Sequence, residues 1–142
     1  NLTVASSHPT VVPWVGMIKT HFMARTDGIL AKSGKYKIEW NEAFGGQLYK
    51  ANATLTSVEE GITDIGWVFS FLEAAKLPLS QASSYSPFST ANPPIQLEVM
   101  QELFETNDAF RDASASPNLT VLGFTATHLH DLYTTATHAR PA

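Results

Sequence analysis

Hydrophobic and polar positions change period several times along the chain, and each change marks an element. Leu2–Ala5 is a short apolar run with the composition of a strand, and Ser6-Ser7-His8-Pro9 is the loop at its carboxyl end. Val11, Val12, Val15, Ile18, Phe22 and Met23 then recur on one side at a period of 3.6, which predicts a helix over Val11–Ala24. Asp27-Gly28 is expected to end that helix. After the mixed connection Ile29–Lys35, the segment Tyr36–Trp40 alternates as Tyr, Lys, Ile, Glu, Trp, a half-buried strand.

The densest stretch is Phe44–Trp67. Gly45-Gly46 supplies a pair of residues without Cβ where the backbone must turn tightly or approach something closely. Ala51, Leu55 and Val58 place a helix over Ala51–Glu60, and Gly61 stands where a helix C′ glycine belongs. Ile62–Val68, rich in β-branched and aromatic residues, reads as a buried strand. Phe69–Lys76 is expected to be a helix with Ser70 near its N-terminus, whose amides would suit an anion. Ser80–Thr90 reads as an ordered crossing loop. Ile95, Val99, Met100, Leu103 and Phe104 form the buried face of a helix over 95–105, started by Asn92-Pro93-Pro94. Asn107 can cap a second short helix through Asp112. Leu119–Thr127 is a further strand, with His128–Tyr133 at its carboxyl end, and Thr134–Ala142 has no pattern.

Short strands alternating with helices predict an α/β fold, a mostly parallel twisted sheet with helices on both faces. Ligands of such sheets bind beyond the carboxyl ends of the strands. Three of those ends converge here: Ser7-His8, Trp67–Ser70 and Thr127–His130. Together they make a mostly apolar place with a few polar groups, the composition of a small-molecule site.

Composition narrows the classes. The 142 residues amount to about one domain, with 44% apolar and 15% charged residues, as in folded globular proteins. The net charge of −4 and the scattering of Arg25, Arg111 and Arg140 leave no basic stripe for nucleic acid. With no cysteine there is no disulfide, thiolate metal site or thiol nucleophile. No apolar run approaches the ~20 residues of a membrane helix, so the chain is not expected to insert in a membrane itself. It starts at Asn1 with neither an initiator Met nor an apolar leader, as a processed secreted chain would.

His128-Leu129-His130 invites a metal reading, because alternate side chains on an extended segment share a face. A catalytic zinc usually has three protein ligands, and no third is implied, so no metal or other cofactor is expected. Neither G-x-S-x-G, H-E-x-x-H nor a P-loop occurs, and no orienting acid accompanies Ser7 and His8. Catalysis is therefore not expected; a metal-dependent hydrolase using the His128/His130 loop and a stand-alone ligand-sensing domain are the alternatives.

Gly45–Val68, GGQLYKANATLTSVEEGITDIGWV, resembles the most characteristic segment of the DctP-type substrate-binding proteins of TRAP (tripartite ATP-independent periplasmic) transporters. There a gly-gly-gln-leu turn leads into a helix and then an acidic-gly-x-x-asp-ile-gly strand. Arg25-Thr26-Asp27-Gly28 is similar to that family's arg-thr-gly-gly turn, and Leu77–Phe88, LPLSQASSYSPF, to its leu-pro-leu…pro-phe segment. The resemblance runs from about Leu2 to Tyr133, in matching order. It implies that residues 1–142 are the first lobe of a two-lobed, type II periplasmic binding protein. Its expected partners are a small organic acid and the membrane permease subunits, and its expected address is the periplasm. By position the family's cleft falls on Ser7 and His8, Gln47 and Lys50, Trp67, Phe69 and Ser70, and on the loop of His128. The arginine with which the family clamps a carboxylate belongs to a strand beyond residue 142, and none of Arg25, Arg111 and Arg140 matches it. The second lobe is expected outside this chain; a fragment, a two-polypeptide protein and a natural single lobe all fit that expectation.

Overall fold

A computed structural model of the protein describes residues 1–81, 92–114 and 119–125. Its centre is β1 (Leu2–Ala5), which pairs in parallel with β2 (Trp40–Ala43) on one side and β3 (Ile65–Gly66) on the other. The order β2-β1-β3 gives β1, alone among the strands of the described residues, a neighbour on each edge. Val4 and Ala5 are accordingly fully buried, as apolar residues on a doubly flanked strand should be. The chain is thus α/β with a small three-stranded parallel sheet.

Parallel pairing requires a long crossover between β1 and β2, and a helical run from Pro13 to Ser33 supplies it. It comprises α1 (Pro13–Met17), a π-helical segment (Ile18–Met23) and α2 (Ala24–Ser33). Pro13 suits the first helical position because its missing N–H would have had no intrahelical acceptor. Val15 and Met23 are buried, whereas no residue of α2 is. Asp27-Gly28 does not end the helix. Gly28 sits inside α2, with nothing within 4 Å of the Cβ it lacks, and the run ends at Gly34 in the left-handed conformation, φ +65°. Asp27 instead accepts the Trp40 indole N–H at 2.9 Å, tying α2 to β2. The expected arg-thr-gly-gly turn is therefore helix in this protein.

The second strand lies later than the alternation of Tyr36–Trp40 predicts. Tyr36 is 73% exposed, and pairing begins only at Trp40. Leu2 donates to the Glu39 carbonyl, and Ser6 to that of Ala43, so the register with β1 is held from both ends.

The second crossover begins with a one-turn 3-10 segment, Ala51–Ala53, and continues as α3 (Thr54–Glu59). Gly61 adopts φ +72°; its N–H bonds the Val58 carbonyl while that of Ile62 reaches Ser57, the paired bonds of a Schellman stop. Thr63, 1% exposed, donates its hydroxyl to the Thr3 and Ile65 carbonyls, and Asp64 accepts the Thr3 amide at 2.6 Å. These bonds fix the entry to β3, which is shorter than the expected Ile62–Val68. Gly66 allows α3 to lie against it: a Cβ there would stand 2.7 Å from Val58 Cγ2 and 3.1 Å from Thr54 Cγ2.

The expected helix over Phe69–Lys76 is only a 3-10 turn, Ser70–Glu73. A second such turn spans Leu79–Gln81. Further on, α4 (Pro93–Thr106) starts at the proline pair and buries Met100. Asn107 caps α5 (Asp108–Ser114) through its side-chain oxygen, which accepts the Phe110 amide at 3.0 Å. Leu119–Thr125, expected as strand, pairs with no strand among the described residues. No helix among the described residues is long and apolar enough to cross a membrane.

Candidate functional site

The carboxyl ends of β1 and β3 lie side by side, because Ala5 pairs with Gly66. Whatever follows each strand is therefore brought to one place. After β1 come Ser7 and His8; after β3 come Trp67 and Phe69.

The loop after β1 is held by the glycine turn. Gly45 and Gly46 take φ of +77° and +75°, a conformation that a side chain disfavours. Their amides donate to the carbonyls of His8 and Ser6, both at 3.0 Å. A Cβ on Gly46 would meet the Ser7 carbonyl oxygen at 3.3 Å. The turn thus extends the β1–β2 ladder beyond the strands and shapes the loop that carries His8. Ser6 adds a side-chain oxygen that accepts the His8 amide at 3.2 Å.

Four rings close a circuit over these strand ends. His8 meets Trp14 edge-on, with centroids 6.5 Å apart, and Phe69 at 5.3 Å. Trp14 stacks on Trp67 at 5.9 Å, and Trp67 meets Phe69 edge-on at 4.2 Å. Phe71 extends the row, 5.4 Å from Phe69. Edge-to-face pairs of this kind contribute about 0.5–1.5 kcal/mol each beyond burial, so the rings stiffen one another. His8, Trp14, Trp67 and Phe69 remain half-buried. They form a wall rather than a closed cavity.

The wall carries directed polar groups. Ser7 Oγ lies 2.9 Å from His8 Nδ1, which leaves Nε2 as the ring nitrogen without a protein partner among the described residues. Trp67 donates its indole N–H to Thr125 Oγ1 at 3.0 Å. Trp14 Nε1 is shielded from water and has no acceptor among the described residues. Beneath the wall, Tyr49 is 7% exposed and donates its hydroxyl to the Ala5 carbonyl at 2.7 Å. Burial pushes its phenol up to about 12.

The expected site residues divide. Ser7, His8, Trp67 and Phe69 come together, with Ser70 next in the chain and half-buried. Gln47 and Lys50 are exposed and hold no hydrogen bond or ring contact with the wall among the described residues; the side chain that turns inward from that loop is Tyr49. The 3-10 turn at Ser70 is a single turn, too short to gather the amides and dipole of an anion-binding helix end. Thr127, His128 and His130 lie outside the described residues, and with them the metal reading. Among the described residues no group of three or more His, Asp or Glu could hold a metal ion. A concavity of about 400 Å³ opens elsewhere, near the amino end of β3, lined by Val58, Thr63, Asp64, Ile65, Leu119 and Leu122. It shares no residue with the aromatic wall, which holds the more directed chemistry.

Trp14 is the residue that the sequence pattern concealed. It sits one position after Pro13 in a helix whose apolar stripe is drawn by Val11, Val15, Ile18 and Phe22, and periodicity does not single out its indole donor. The available signal was an aromatic donor in the first turn of the helix that leaves the His8 loop. Comparison of the chain with protein-family models, with curated proteins and with solved structures finds no match.

Proposed function

We propose that this chain is the first lobe of a TRAP-type periplasmic solute-binding protein that captures a small organic acid and passes it to a membrane permease. The observation that carries the reading is the ring of His8, Trp14, Trp67 and Phe69 over the carboxyl ends of two parallel strands, where α/β proteins bind their ligands. The ordered resemblance of Gly45–Val68 and Leu77–Phe88 to that family supports it. So does the glycine turn, whose amides hold the His8 loop in place.

A half-open wall is what one side of a cleft presents. In this reading a second lobe closes over it by a hinge motion and brings the carboxylate clamp that no arginine of residues 1–142 matches. The acid's own preference for the closed form drives the closure, since only differential affinity shifts such an equilibrium. The work is binding and release, with no bond made or broken.

Tryptophan emission of the full-length protein tests this directly, because Trp14 and Trp67 are stacked in the wall. Titration with a panel of mono- and dicarboxylates is expected to give a saturable change for at least one acid, abolished by Trp67→Phe. Silence towards the whole panel would sink the proposal.

A further inference from the structure

We infer that two copies of this chain associate through α2 of one and α4 of the other, an apolar contact framed by cations on the first helix and glutamates on the second. This is independent of the binding-protein reading, which stands or falls by its own titration.

The first face is the outer side of α2, a helix in which no residue is buried. Arg25, Ile29 and Lys32 stand at i, i+4 and i+7, so they share one side of it. Lys35, Tyr36 and Lys37 follow directly after its end, and both Ile29 and Tyr36 are exposed. Among the described residues no side-chain hydrogen bond or ion pair engages Arg25, Lys32, Lys35 or Lys37, whereas Lys19, Lys76 and Arg111 each hold a carboxylate. On a chain of net charge −4 this is a cationic patch with apolar side chains in its middle.

The second face is on α4. That helix buries Met100 and half-buries Leu97 and Phe104 on one side. Ile95 and Val99, expected to be buried, are instead 46% and 49% exposed. With Glu98 and Glu102 they occupy i, i+3, i+4 and i+7, the side opposite Met100. Neither glutamate has a side-chain partner among the described residues. Charge decides how such faces combine. Two α2 faces would set cation against cation, and two α4 faces carboxylate against carboxylate, both unfavourable. The mixed pair withdraws Ile29, Ile95 and Val99 from water while opposite charges meet around them. An anionic bilayer would suit α2 but would leave the apolar and acidic side of α4 uncovered; a second copy covers both.

Sedimentation of the full-length protein tests this, over about 10–500 µM because a single helix pair lies at the small end of interface sizes. Reversible association is expected, weakening about tenfold between about 50 and 500 mM salt. Lys32→Glu with Lys35→Glu, and separately Glu98→Lys with Glu102→Lys, should each lower self-association about tenfold or more. Mixing the two variants sets opposite charges against each other again at the changed positions, and should restore association to about the parent's level. Recovery on mixing also shows that neither variant has lost its fold. A parent that stays monomeric throughout overturns the inference; if it instead binds phosphatidylglycerol vesicles and Lys32→Glu with Lys35→Glu does not, the bilayer is the occupant of α2. Association indifferent to both charge reversals, or no recovery on mixing, overturns it equally.

Discussion

Tyr49 shows how one side chain joins the sheet to the site. Its hydroxyl donates to the Ala5 carbonyl at the carboxyl end of β1, beneath the loop that bears His8. Replacing it by phenylalanine leaves that buried carbonyl without its donor, and is expected to lower stability by about 1–2 kcal/mol at neutral pH. The phenol titrates near 12 in the folded protein, against about 10 unfolded. The folded chain therefore holds this proton more tightly, so the stabilisation is complete below pH 10. It is lost as pH rises from about 10 to 12, by at most ~3 kcal/mol. Urea midpoints measured across that range should fall more steeply for the parent than for Tyr49→Phe; parallel curves would contradict the assignment. Trp14 is the contrasting case. Periodicity marks a helix and says which side is apolar, but an indole on that side looks the same whether it packs or waits for a ligand.

Elements were legible where a local rule had a single physical cause. The Gly45-Gly46 turn, the Gly61 stop and the Asn107 cap each follow from one backbone requirement, and each stands where the sequence placed it. Boundaries set by tertiary contact were not legible. The helix runs past Gly28 to the left-handed Gly34, and β2 starts at Trp40, where the ladder with Leu2 begins. The same distinction predicts mutational effects. Gly61→Ala meets no atom within 4 Å and suffers only its left-handed φ, about 1 kcal/mol. Gly66→Ala must push α3 away from β3, because Val58 Cγ2 would stand 2.7 Å from the new methyl; about 1–3 kcal/mol is expected. Chemical denaturation should rank Gly66→Ala as the more damaging, and equal losses would show that α3 yields freely.

At the scale of the molecule, order is concentrated on one side of the first crossover. β1 is flanked on both edges, whereas α2 buries none of its residues and leaves Ile29 65% exposed. Opening free energy follows buried contact. Amides of α2 are expected to exchange with deuterium on the order of a hundredfold faster than those of Val4 and Ala5. Comparable protection in the full-length protein would show that another surface covers α2. Of the candidate site, the sequence pointed to the loops after β1 and β3 and to the rings of His8, Trp67 and Phe69, while the third expected strand end, Thr127–His130, lies outside the described residues. The sequence could not reveal the circuit the rings form, which depends on the pairing of Ala5 with Gly66 across most of the described crossovers.

The position of β1 also has a consequence in time. Ribosomes make this central strand before either neighbour, and roughly 60 residues must be added after Ala5 before Gly66 exists to pair with it. At 5–20 residues per second that is about 3–12 s. Until Trp40–Ala43 has been made both edges of Leu2–Ala5 are open, and until Gly66 has been made the edge that β3 covers stays open. Chaperone capture, or slow emergence of this segment from the exit tunnel, would guard the chain at that stage.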